Sequence, residues 1–124
     1  MNKANRSAES ASVNLSELLA RVDNDRALLC ELLSIFKREF PDHLHALRNA
    51  VAGNDSAQAA CISHTLKGML ANLAVAKAAA SASRLERLAR AGEISALGDA
   101  LARFEKEVEG LLPEMDSYRA EARP

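Results

Sequence analysis

The chain has 124 residues, which suits one compact domain with its own core and leaves too little for two. Its 16 basic and 17 acidic residues give a formal net charge of -1. The sequence has neither a basic excess nor a clustered basic stripe, so a protein or a small molecule is a better partner than nucleic acid. Aromatic residues make up only 3%, there is no Trp, and Ala and Leu dominate, a composition that favours closely packed helices over strands.

Residues 1–12 are small and polar and read as a flexible tail. They hold no apolar stretch of the kind a secretory leader requires. No run approaches the roughly 18 apolar residues of a membrane span. The expectation is a cytoplasmic protein without direct membrane contact. Cys30 and Cys61 lack metal-ligand spacing and are expected to be reduced, partly buried thiols, with a single disulfide between them as the alternative.

A short first helix opens at Asn14, a capping residue with Glu17 three positions later in the capping-box place. The polar run Asp23-Asn24-Asp25 ends it, and Asp25 caps the next helix. That helix carries Leu28, Leu29, Leu32, Leu33, Phe36 and Phe40 at spacings of three or four wherever they are not adjacent, one apolar stripe. Pro41 is expected to interrupt or kink it, with Leu44, Leu47 and Val51 continuing a helical period beyond. Gly53-Asn54-Asp55 is a stop and restart. The next helix runs from about Ser56 to Leu73, and another follows a turn near Ala74 and Val75 and reaches Ala91, with Gly92 as its C-terminal cap. A last helix holds Leu97, Leu101, Phe104, Val108 and Leu111, with Pro113 near its end. Long amphipathic helices on short loops imply an all-α fold, an antiparallel four-helix bundle with an additional short N-terminal helix, spanning residues 13–117. Residues 118–124 read as a second flexible tail.

Chemistry concentrates in the helix that begins at Ser56. At 100° per residue, Ile62, Leu66, Met69 and Leu73 fall within a sector of about 60° and mark its buried face. His64 points the opposite way, toward solvent. Ala57, Ala60, Gly68 and Ala71 share its outward face and Lys67 lies at the edge, so one imidazole stands on a flat surface of small residues. Gly68 costs that helix about 1 kcal/mol relative to Ala, which makes sense where another protein must approach the backbone. A neutral imidazole has a free lone pair and is a competent nucleophile toward a phosphoryl group. Lys67, about one turn along, can offset the phosphoryl charge. No Gly-rich phosphate loop or nucleotide motif accompanies them in this helix. From geometry alone, an inert surface histidine and a glycine that merely packs against a neighbouring helix account for the same residues.

The string His64-Thr65-Leu66-Lys67-Gly68 resembles the phosphorylation motif of histidine-containing phosphotransfer (HPt) domains of bacterial two-component phosphorelays. Asp25-Arg26-Ala27-Leu28-Leu29, the Phe36 to Pro41 stretch, Gly53-Asn54-Asp55, Ala71-Asn72-Leu73 and Leu85-Glu86 fall where that family places comparable residues, over roughly residues 14 to 112. The resemblance implies that His64 is the phosphoacceptor, through Nε2. It implies that Lys67 stabilises the phosphoryl charge, that Gly68 gives steric access, and that Glu86 orients the imidazole through Nδ1. The expected docking face is Ala57, Ala60, Lys67, Gly68 and Ala71. The expected partner is a receiver domain of a response regulator or hybrid kinase, with Mg2+ bound by the receiver and no cofactor or metal held by this chain. The chain itself is expected to be a monomer without kinase activity. Three features depart from the family pattern: Met69 follows the glycine, Ala74-Val75 replaces a common Gly-Ala, and Ala78 stands where a larger residue is common.

Three other readings compete. A non-catalytic helical interaction module would use the same face without phosphate. The phosphoacceptor region of a histidine kinase usually has an acidic residue directly after the histidine, where this chain has Thr65. A metal site of His43, His45 and His64 is disfavoured because the first two lie two residues apart on different sides of a helix.

Overall fold

The computed structural model describes residues 13–122. Six helices account for nearly all of them: α1 (Leu15–Arg21), α2 (Arg26–Ala52), α3 (Ser56–Asn72), α4 (Ala76–Arg90), α5 (Ile94–Val108) and α6 (Leu111–Ala122). Helices α2 to α5 form the bundle, each packed on the next, with α5 returning to α2. The expected N-terminal tail lies outside the described residues.

The helix boundaries follow local chemistry. Asn14, Asp25 and Asp55 each accept a hydrogen bond, 3.0 Å long, from the backbone N–H three residues on, satisfying donors that a helix start leaves open. The capping box at Asn14 is only half made, because the Glu17 carboxylate pairs with Arg21 instead. Gly92 takes a left-handed φ of 73° after α4. Its N–H and that of Glu93 return to Ala89 and Leu88, closing a Schellman motif.

The turn after α3 uses the same motif with an alanine. Ala74 has φ 59°, and the N–H groups of Ala74 and Val75 bond Ala71 and Leu70. The left-handed turn is therefore kept despite the missing glycine, at a steric cost of at least about 1 kcal/mol. Ala74→Gly should stabilise the protein by roughly 0.5–1 kcal/mol, the relieved strain exceeding the added freedom of the unfolded chain. Chemical denaturation checks it; a destabilised variant would mean that the packing of the Ala74 methyl outweighs the strain.

Two expectations about helix ends need correction. Pro41 lies inside α2, which runs through it as one 27-residue helix; Phe36 and Phe40, buried and stacked at 4.7 Å between ring centroids, tie its middle to the core. Nor does a single last helix give way to a tail at residue 118; only residues 123 and 124 of the expected tail lie outside the described residues. The last helix breaks at Glu109 and Gly110, and α6 continues through Ala122, with Pro113 in the first turn, where a proline is tolerated. Residues 118–122 are thus helix, and Tyr118 packs against the core. The reason is length. At 1.5 Å per residue, α2 is about 40 Å long and α5 about 22 Å. Helix α6 covers the rest of α2 through Lys37–Asp116 at 2.9 Å and Arg119 on Ser34 at 3.0 Å.

The closest approach in the bundle is between α3 and α4. Ala59, Ala60 and Ser63 on α3 meet a helix whose buried residues include Ala78, Ala82 and Ala89. Small side chains let the two backbones come together, which explains why Ala78, fully buried, is not larger. Helix α1 lies at one end, where the Arg21 guanidinium donates to the carbonyls of Ala71 at 2.8 Å and Asn72 at 3.4 Å. It caps the C-terminus of α3, where a cation is favourable.

Candidate functional site

The buried stripe of α3 is Ala59, Ser63, Leu66 and Leu70, with Ile62 and Met69 half-buried at its flank. The helix is rotated by about 50° from the expectation based on its large apolar residues, because α4 covers the small ones. Ala60 is consequently buried, at 5% exposure, and is removed from the expected docking face. Ala57, Gly68 and Ala71 remain exposed, joined by Cys61, Thr65 and Asn72. Cys61 is a free, exposed thiol rather than a partly buried one, and Cys30 is free and half-buried.

The His64 side chain is 62% exposed and stands on open surface. Its Nδ1 lies 3.1 and 3.3 Å from the two oxygens of Glu86 on α4. Glu86 is 93% buried, the single charged residue among the buried ones described. Lys67, half-buried, places Nζ 3.0 Å from Glu86 Oε1. Arg90, one turn beyond Glu86, grips Oε2 through Nη2 at 2.7 Å and Nε at 3.0 Å. Sequence reasoning missed Arg90; its spacing of four from Glu86 was the available signal.

These contacts set the protonation pattern. The Arg90 guanidinium, with Lys67 and His64 adding to it, holds the Glu86 carboxyl down at about 2 against the opposing effect of burial. At neutral pH Glu86 is therefore ionised and can only accept. Nδ1 of His64 must be the donor, so in the neutral ring the lone pair belongs to Nε2, the nitrogen not held by Glu86. The Thr65 hydroxyl bonds back to the Cys61 carbonyl at 3.4 Å. Two cations against one carboxylate leave the cluster beside the imidazole at a formal +1.

A methyl built on Gly68 would meet nothing within 4 Å. Gly68 packs against none of the described residues, so none of them offsets its cost to the helix. Gly68→Ala should raise stability by about 1 kcal/mol, a rise in Tm of roughly 4 °C, readable by thermal melting. A lower Tm would mean that the glycine serves the fold.

Among the described residues no cluster of three His, Cys, Asp or Glu side chains could hold a metal ion, and no helix is long and apolar enough to cross a membrane. What the fold and site define is a helical bundle that displays one carboxylate-held histidine on an open face. The Hpt domain family model matches residues 31–114, a span that includes His64, Lys67, Gly68, Glu86 and Arg90, and the chain belongs to that family. No curated protein and no solved structure matches it.

Proposed function

We propose that this protein is a phosphorelay carrier that accepts a phosphoryl group on His64 from a receiver-domain aspartate and passes it to the aspartate of another receiver. The observation that carries the reading is the exposed imidazole of His64 with Nδ1 held by the ionised, buried Glu86, in a chain of the Hpt domain family.

In the forward step the Nε2 lone pair attacks phosphorus in line with the departing aspartate oxygen. The P–O bond to the receiver breaks, an N–P bond forms, and the carboxylate leaves with the bonding pair. The Nδ1 proton stays between His64 and Glu86, whose negative charge stabilises the ring as it becomes cationic. Lys67 and Arg90 set a positive field beside the incoming phosphoryl oxygens. The receiver's Mg2+ would supply further charge neutralisation when bound there. In reverse, a receiver aspartate attacks the phosphohistidine, so the carrier needs neither nucleotide nor hydrolytic machinery.

Gly68 leaves the approach to Nε2 open. The Gly68→Ala variant, more stable than wild type, should therefore transfer more slowly, separating a docking role from a folding one. The direct test is incubation of the protein with receiver domains carrying labelled aspartyl phosphate and Mg2+. Acid-labile label should move to this chain. No transfer from any of several receivers to a demonstrably folded protein would overturn the reading and favour a non-catalytic interaction module.

A further inference from the structure

Helix α4 carries Arg84, Arg87 and Arg90 at three-residue intervals. Each step turns the helix by about 60° backward, so the three fan across its outer face over about 120°. Arg90 ends the fan at the His64 edge, on Glu86. Arg84 and Arg87 lead the other way, into a groove between α4 and α5 that is also lined by Lys77, Ser81, Arg103 and Glu107. Three of the arginines recur within seven residues of one helix, a basic stripe that the overall charge count did not register, and α5 completes the patch with Arg103.

The charge is one-sided. Glu107 is the groove's carboxylate, and it accepts the Ser81 hydroxyl. Arg84, Arg87 and Arg103 are exposed and form no ion pair among the described residues. Elsewhere Arg21, Arg48, Lys67, Arg90 and Arg119 each have a carboxylate partner, while Arg26, Arg38 and Lys106 form no ion pair among the described residues but are not gathered into one groove. In a chain of net charge -1, this is a local concentration of uncompensated cations. Like charges three apart on one helix work against it, and nothing in the fold is served by them.

We propose that this arginine surface on α4 and α5 is a second part of the docking footprint, which selects receiver domains with an acidic face beside their phosphorylated aspartate. The inference rests on the phosphocarrier reading. Its geometry is a matter of reach. Arg84 to Arg90 span about 9 Å along α4, whereas a standard interface covers about 800 Å2 per partner, a disc of about 16 Å radius. A receiver centred on His64 therefore overlies Arg90 and the near side of α4, while Arg84 and Arg103, turned up to about 120° further round, border it and act on it through their field rather than by contact. Exposed, complementary charges of this kind act mainly on encounter and partner choice, and salt screens them.

The test compares the wild type with an Arg84→Glu, Arg87→Glu, Arg103→Glu triple variant, and with the corresponding triple Gln variant in case charge reversal impairs folding. The probes are a phosphorylated receiver of strongly negative charge and one of neutral charge. With the acidic receiver, the wild-type KM should rise about ten-fold as the Debye length shrinks from about 30 to about 8 Å. The triple variant should show a KM about ten-fold higher at low salt and little salt dependence, with the saturating rate within about two-fold of wild type. The neutral receiver should barely distinguish the proteins. Equal KM values for wild type and variant, with label still reaching His64, would overturn the inference and leave the phosphocarrier reading standing. No label on the wild type from either receiver would overturn both. Binding of a short oligonucleotide more tightly than the acidic receiver would reassign the surface to nucleic acid.

Discussion

His64→Gln should abolish phosphoryl transfer to this protein while leaving its fold intact. Glutamine keeps a polar side chain of similar reach but has no nucleophilic lone pair on a ring nitrogen, so the N–P bond cannot form. The side chain it replaces is 62% exposed, so little packing is lost, and the glutamine amide can still donate to Glu86; the expected change in stability is about 1 kcal/mol or less. Label transfer from a phosphorylated receiver, with thermal melting as the control, checks both halves. The alternatives are few, because the chain has three histidines. Of the other two, both on α2, His43 is half-buried and His45 exposed. Acid-labile label persisting on a folded His64→Gln variant would move the phosphoacceptor to one of them and would remove the role argued for Glu86.

The second large effect is expected at Glu86, in both stability and rate. Glu86→Gln deletes the charge that Arg90, Lys67 and His64 share. Losing one member of a fully buried ion pair costs about 3–5 kcal/mol, but Lys67 and Arg90 are 35% and 62% exposed and can turn to water, so about 2 kcal/mol is the expected loss. The pH dependence has a definite sign. The folded-state pKa of Glu86 is lowered from 4.5 to about 2, so its contribution is fully present above pH 4.5 and disappears as the pH falls toward 2. Wild-type stability should therefore drop between pH 4.5 and 2 more steeply than that of Glu86→Gln, a comparison of denaturation midpoints. Equal slopes would show that the cluster does not hold Glu86 ionised.

The rate effect sets two consequences against each other. Freed of Glu86, Lys67 and Arg90 could hold the phosphoryl oxygens better, but a largely exposed ion pair is worth about 0.2–1 kcal/mol. Losing the partner that orients a reactive imidazole costs about ten- to a hundred-fold where the same arrangement holds metal-bound histidines, or about 1.4–2.7 kcal/mol. Slower transfer should win. Rapid-quench measurement at saturating receiver isolates this step from docking, and an unchanged rate would make Glu86 a purely structural residue.

Much of the molecule was legible in the sequence because its signals are local. The caps at Asn14 and Asp25, the stop and restart at Gly53-Asn54-Asp55 and the turn at Gly92 each act through neighbours a few residues away. The exposure of His64 followed from its place opposite Leu66 on one helix, whereas Gly68 was compatible with either a packing contact or an open surface until the structure showed the open space. The signals that misled were those whose outcome depends on a distant partner. Pro41 suggested a break, yet packing along α2 keeps the helix continuous. Residues 118–124 suggested a tail, yet the uncovered length of α2 draws 118–122 into α6.

The sequence by itself determined the helical class, the capped helix starts at Asn14 and Asp25 and the identity of the exposed histidine, since helical period and capping are short-range physics. Only the tertiary structure decided the rotation of α3, the burial of Ala60 and the assembly of His64, Lys67, Glu86 and Arg90 around one carboxylate. His64 and Glu86 are 22 positions apart, and they meet because the small side chains of α3 and α4 let two backbones approach closely. Hydrophobic patterning weights large residues and does not register a contact built from small ones, so the surroundings of the histidine emerged with the packing.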